Sequence, residues 1–257
     1  MPFHDLGQGS IPARNFIWEW AKEREFARHW TVDDNIVSFY RCNNNRRLRV
    51  LGGGFFKAME QFADRYDNLK MIGPHDIAFV GDRDPRLTPI LWNTRVYSCI
   101  LLDTKSDLRW RGKYNEDTDL SLRFLKDGAA TGVFRSLCMD KPATSGSKGV
   151  AMKGGNTDNV YAYDDRRRQF AESLYQQHPD VVQITWKFNR WHHEVDYSLF
   201  KRNKPVLKAG VIPTPVNDDY GMRLVRLSNG DSNDGEIEAA CDESKQDEAI
   251  EGSLAND

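Results

Sequence analysis

The 257-residue chain has no apolar run long enough to cross a bilayer. Its longest, such as VYSCILL at 96–102, fall far short of the roughly 20 residues a membrane helix needs. The opening MPFHDLGQGS lacks the basic start and apolar stretch of a secretion signal, so a cytoplasmic protein is expected. There are four cysteines, Cys42, Cys99, Cys138 and Cys241, and no CxxC pair. That excludes a dense disulfide framework or a cysteine zinc site and predicts isolated, reduced thiols. No GxxxxGK[ST] run is present, which excludes a P-loop, and no internal repeat is seen.

What is present suits a folded α/β protein: 39% hydrophobic and 29% charged residues. The net charge of −2 hides an asymmetry. Residues 228–257 hold ten acids and one lysine, while the remainder carries a net +7. The acidic segment is nearly free of large apolar residues and is expected to be a disordered tail. The prolines Pro205, Pro213 and Pro215 mark the exit from the compact domain. The expected organisation is a domain over 1–205, an extension over 206–227 and the tail over 228–257.

Along the chain, IPARNFIWEWAKEREFARH predicts a helix with Pro12 in its first turn, Ser10 as cap, and apolar positions at Ile11, Phe16, Ile17, Trp20 and Phe26. HWTV predicts a strand that stops at Asp33 and Asp34, as open α/β sheets deliver ligand-binding acids. GGGFFKAMEQFADRYDN predicts an amphipathic helix with Phe55, Met59, Phe62 and Tyr66 on one stripe. LKMIGPHDIAFV predicts a strand, and ILWNTRVYSCILLDT a β-rich stretch broken near Asn93, read as a hairpin. Asn115 and Gly128 bound a further helix, AATGVFRSLCMDKP reads as a strand, and DDRRRQFAESLYQQHPD as a helix. VVQITWKFNRWHHEVDYSLF reads as one final strand and a polar aromatic turn.

Three clusters can carry chemistry. Asp33, Asp34 and Asn35 place hard oxygen donors together, which suits a divalent cation bridging a pyrophosphate. Alone, two acids more often make a solvated turn. Glu116, Asp117 and Asp119 open a helix, where a cleft-facing carboxylate can accept a proton. The helix dipole also favours acids there without any catalytic role. His192 and His193 lie among acids and can supply one metal ligand, although by composition alone a structural pair on a surface turn is the better reading. Lys148, Lys153, Gly154 and Gly155 form a loop able to close over phosphate, or an idle linker. Arg46, Arg47, Arg109 and Arg111 head two basic patches that can hold nucleic-acid phosphates, and Trp110 can stack on a base. A solvated basic face explains the same patches.

Taken in order, FHDLGQGSIPARN, HWTVDDNI with FYR, GKYNEDTDLSLR and RWHHEVDY resemble the TET-associated glycosyltransferases of bacteriophages, over residues 2–205. The resemblance implies an α/β, GT-A-like mixed sheet flanked by helices. It implies a glycosyltransferase that moves a sugar from a UDP-sugar to 5-hydroxymethylcytosine in phage DNA. It implies Mn²⁺ or Mg²⁺ at Asp33, Asp34 and Asn35 with His192 or His193. Arg14, Asn15, Asp33 and Lys153 would face the donor, and Glu116 and Asp117 the acceptor, with Asp117 as base if the reaction inverts configuration and as a substrate-positioning group if it retains it. The strand–helix–strand unit that usually opens a GT-A domain is missing before Met1, which implies a late start or a shortened member. The alternative is a catalytically inactive DNA-binding remnant or partner subunit that keeps the fold. A glycosyltransferase acting on protein or glycan is a third, disfavoured by the basic patches.

Overall fold

The computed structural model describes residues 9–43, 46–80, 88–112, 114–141, 164–187, 189–212, 222–226 and 237–241. The elements are α1 (Ile11–Glu23), β1 (Arg28–Val32), β2 (Ser38–Asn43), β3 (Arg46–Val50), α2 (Gly54–Asp64) and β4 (Leu69–Asp76). Then follow β5 (Ile90–Trp92), β6 (Cys99–Asp103), α3 (Glu116–Lys126), β7 (Ala130–Asp140) and α4 (Asp164–Gln177). The last are β8 (Val182–Lys187), β9 (Arg190–Val195), β10 (Met222–Arg226) and β11 (Ile237–Cys241). The main sheet runs β1-β6-β4-β7-β2-β3-β11-β10, with β5 beside the first half of β7. β4 and β7 are parallel and most other pairs antiparallel.

Alternation along the strands splits the core between two faces. Ile72, Leu101 and Phe134 meet Phe55, Met59 and Ala63 of α2 on one side. Met71, Ile100, Leu102 and Val133 meet Trp18 of α1 and Leu120 and Phe124 of α3 on the other. A mixed sheet is thus flanked by helices, the α/β layering expected of a GT-A-like domain. Gly73 sits where β4 leaves β6. A Cβ there would collide with the Cys99 carbonyl and crowd Val96, so only glycine lets the two strands approach. α3, α4 and β8 share a third cluster of Leu122, Leu125, Leu174, Val181, Val182 and Phe200.

Several expectations are corrected. ILWNTRVYSCILLDT is not a hairpin: β5 pairs with β7, while β6 lies between β1 and β4. The break at Asn93 does hold, with φ at 56°. The last predicted strand is two, since β8 and β9 form an antiparallel hairpin turning at Asn189, φ 57°. Of the acidic segment 228–257, Ile237–Cys241 form a strand between β3 and β10, and the rest lies outside the described residues. Cys42 and Cys138, far apart in sequence, bring their Sγ atoms to 3.5 Å across β2 and β7. On α1 the buried stripe is Arg14, Trp18 and Ala21, whereas Phe16, Trp20 and Phe26 stay exposed. Turning Arg14 inward rotates its whole stripe toward the sheet, and the reason lies in what Arg14 meets.

Candidate active site

The C-terminal end of β1, the start of β6 and the C-terminal end of β7 lie at one end of the sheet. Helices α1 and α3 both begin there. Arg14, in the first turn of α1, is fixed by its own N–H donating to the Ser10 carbonyl at 2.9 Å. Ser10 stands at the cap position but contributes no side-chain hydrogen bond. The Arg14 guanidinium donates to Asp33 Oδ1 at 2.9 Å, Asp117 Oδ1 at 2.9 Å and Glu116 Oε1 at 3.3 Å. One cation therefore gathers three carboxylates that lie up to 103 residues from it in the sequence. Trp110 packs beneath it, its ring centroid 4.6 Å from the guanidinium carbon.

Burial opposes charge on Arg14, but Asp117, Glu116 and Asp33 outweigh it and hold the guanidinium more firmly ionised than usual. The acids respond in the opposite sense. Burial, then the neighbouring Asp117, pushes Glu116 above the usual carboxylate range. Burial likewise raises Asp117, with Asp33 adding to the shift, and Arg14 only partly offsets this. A carboxylate raised in this way is a better proton acceptor near neutral pH than an ordinary surface acid.

Asp33 is anchored from two directions. Lys141, just past β7, donates to Asp33 Oδ2 at 2.8 Å and to Ser98 Oγ at 2.7 Å. The Asp33 N–H donates to the Ser98 carbonyl at 2.8 Å. Asp34 is exposed. Asn35 Oδ1 is buried and lacks a hydrogen-bond partner among the described residues. The donor set is right for a hard divalent cation, three side-chain oxygens in succession with one of them orphaned. As placed, however, both Asp33 oxygens already hold a cation. Among the described residues no three His, Cys, Asp or Glu side chains are grouped to hold a metal.

The histidines separate. Adjacent strand residues point to opposite faces, so His192 and His193 on β9 cannot converge on one ion. The His192 ring nitrogen accepts from Arg190 Nε at 2.9 Å. His193 is pushed down to about 4 by burial and by the charge of Arg95. Arg95 also acts on Asp117 and lies over the Tyr97 ring at 4.7 Å. The charge of Arg95 thus lowers both His193 and Asp117. Sequence reading missed both Arg95 and Lys141. Neither stands in a recognisable run, and only the strand pairing brings them to this end of the sheet.

The Asn15 side chain, assigned to the donor by resemblance, is engaged with the backbone of Trp110. Its amide donates to the Trp110 carbonyl and accepts from the Trp110 N–H, both at 2.9 Å, so it clamps the loop before α3 onto α1. Asp119 turns the other way from Asp117 and is buried among Arg111, Arg123 and His178. The basic patch at Arg109 and Arg111 is correspondingly spent. Arg109 pairs with Glu19 at 2.5 Å and Arg111 with Asp119 at 2.9 Å. Trp110 is almost wholly buried and cannot stack on a base. Arg46 is exposed at the start of β3, while Arg47 donates to the Val80 carbonyl at 2.9 Å. Lys148, Lys153, Gly154 and Gly155 lie outside the described residues.

No helix of the described residues is long and apolar enough to cross a membrane. No curated protein and no solved structure matches the chain. Residues 1–150 match the model of the family described as TET-Associated Glycosyltransferase. That stretch holds Arg14, Asp33, Glu116, Asp117 and Lys141 and is more than half of the chain, which therefore belongs to this family of glycosyltransferases.

Proposed function

We propose that the chain transfers a sugar from a nucleotide-sugar donor, a UDP-sugar, to the hydroxyl of 5-hydroxymethylcytosine in DNA. The observation that carries this reading is the Arg14 cluster, where a raised carboxyl stands beside two ordered cations. The attacking hydroxyl gives its proton to Asp117. Its oxygen bonds to the anomeric carbon as the bond from that carbon to the diphosphate oxygen breaks. Arg14 and Lys141 supply positive charge where the departing diphosphate gathers negative charge, the largest single lever in reactions of this kind. Glu116 keeps Arg14 in place and shares its charge with Asp117. The acceptor base has to leave the duplex for its 5-substituent to reach an enclosed site.

Within the same proposal, Asp33, Asp34 and Asn35 would hold a Mn²⁺ or Mg²⁺ ion, with one histidine of the His192–His193 pair, whose opposite faces let only one of them serve. When bound, such an ion draws charge from the diphosphate. The test incubates the protein with UDP-sugars, Mn²⁺ and DNA that carries 5-hydroxymethylcytosine, then weighs the digested nucleosides. A hexose mass on the modified nucleoside, absent with unmodified cytosine, is expected. Transfer is expected to stop under chelation and return with Mn²⁺. Full transfer under chelation assigns the charge to Arg14 and Lys141 alone. DNA binding without any transfer or donor binding instead supports the inactive DNA-binding alternative.

A further inference from the structure

The sequence placed a base-stacking aromatic at Trp110, and the fold buries it. An exposed aromatic pair stands elsewhere. Trp186 and Trp191 face each other across the β8–β9 hairpin, ring centroids 5.1 Å apart and edge-on. Trp186 is 50% exposed, although tryptophan is usually well buried.

Packing ties this pair to the active site. Asn115, directly before Glu116 and Asp117, donates its side-chain amide to the Phe170 carbonyl of α4 at 2.9 Å. Two residues earlier on α4, Arg168 lies over the Trp191 ring. α4 thus joins the start of α3 to the tryptophan face of the hairpin, which by register also carries His193.

The surroundings are cationic. Arg168 of α4 lies over the Trp191 ring at 5.2 Å. Lys187 and Arg190 flank the turn of the hairpin, and Arg167 precedes Arg168. Glu194 and Glu172 pair with Lys187 and Arg168, but all four side chains are exposed, so these pairs open to a phosphate at little cost, unlike Arg111 on the buried Asp119. Arg190 meets the His192 ring, which burial and Arg190 itself keep from gaining a proton. Stacking rings bordered by positive charge match an unpaired nucleotide with its phosphates. A neutral sugar would stack on tryptophan without needing the cations.

We infer that the Trp186–Trp191 hairpin is a nucleic-acid subsite, on which an unpaired base next to the modified nucleotide stacks while its phosphates meet Lys187 and Arg190. The inference rests on the DNA-acceptor reading above. The probe is a dye-labelled single-stranded oligonucleotide with one 5-hydroxymethylcytosine, and a matched strand abasic at both flanking positions. Binding is followed by anisotropy at fixed salt. Trp186→Ala is expected to weaken the intact strand about 5- to 150-fold, from the ~1–3 kcal/mol of a base–aromatic stack. It should barely change the abasic strand, and Trp186→Tyr should recover most of the loss. Equal affinity of Trp186→Ala and the parent chain overturns the inference. So does an equal loss on the abasic strand, or displacement by free hexose in place of the oligonucleotide. A parent chain that neither binds nor glycosylates DNA overturns the acceptor reading itself. A parent chain that does both while Trp186→Ala is unaffected overturns only the hairpin. Half-exposed Trp186 can be replaced without opening the core, which a thermal melt verifies.

Discussion

Arg14→Ala is expected to lower transfer by about 10²- to 10³-fold, the usual cost of removing one preorganised charge at a reacting centre. The reason is local. Arg14 is the contact common to Asp33, Glu116 and Asp117. Burial already raises Glu116 and Asp117, and Arg14 is what restrains them. Without it both rise further, a smaller fraction of the base is ionised at a given pH, and the acid limb of the rate profile moves to higher pH. Stability moves the same way. An acid whose folded pKa lies above its unfolded value stabilises the fold below the unfolded pKa and loses that contribution as pH rises through the folded one. Arg14→Ala should therefore be most destabilised where both acids are ionised, on the order of 3 kcal/mol, and should regain stability on acidification. Arg14→Lys keeps the charge but not the fork, so it should retain stability better than activity. Rate profiles and urea melts at two pH values check both.

The largest loss of stability is expected at Asp119. Its side chain is 1% exposed and accepts from Arg111 at 2.9 Å, Arg123 at 2.8 Å and His178 at 2.9 Å. Burial alone would raise this acid, but the hydrogen bonds from His178 and Arg111 and the charge of Arg123 hold it below the usual range. Asp119→Ala strands two arginines and a buried histidine, at a cost of about 3–5 kcal/mol. The network also fixes α3 against His178, just past α4, so the start of α3 with Glu116 and Asp117 should loosen as well. A depressed acid gives its stability above the unfolded pKa and loses it as pH falls through the folded one. The gap between parent and Asp119→Ala in a denaturant melt should accordingly shrink toward pH 3. An unchanged midpoint at neutral pH would contradict this reading.

The acids, more than the geometry, were legible in the sequence. HWTV ending at Asp33 and the acidic start at Glu116 are local patterns, and local patterns survive folding. The stripe on α1 was not legible. Apolar periodicity favours Phe16 and Trp20 as the buried side, but an arginine with three half-buried carboxylates to neutralise takes the inward position. Nothing within a window of neighbouring residues announces partners about a hundred positions away. The same holds for Lys141 and Arg95, isolated cations given their role by strand pairing. The basic patches misled for the converse reason. Charge density was read correctly at Arg109 and Arg111, but Glu19 and Asp119 consume it.

The central claim is that the cluster around Arg14 performs sugar transfer, with Asp117 as the proton acceptor. The most direct measurement is single-turnover transfer to DNA containing 5-hydroxymethylcytosine by Asp117→Asn beside the parent chain, with donor and DNA affinities measured on the same samples. Asparagine keeps the shape and loses the basicity. Transfer is predicted to fall at least about 10²-fold while both affinities stay within a few-fold. Transfer at the parent rate, with Asp117→Asn folded and both substrates bound, would contradict the claim.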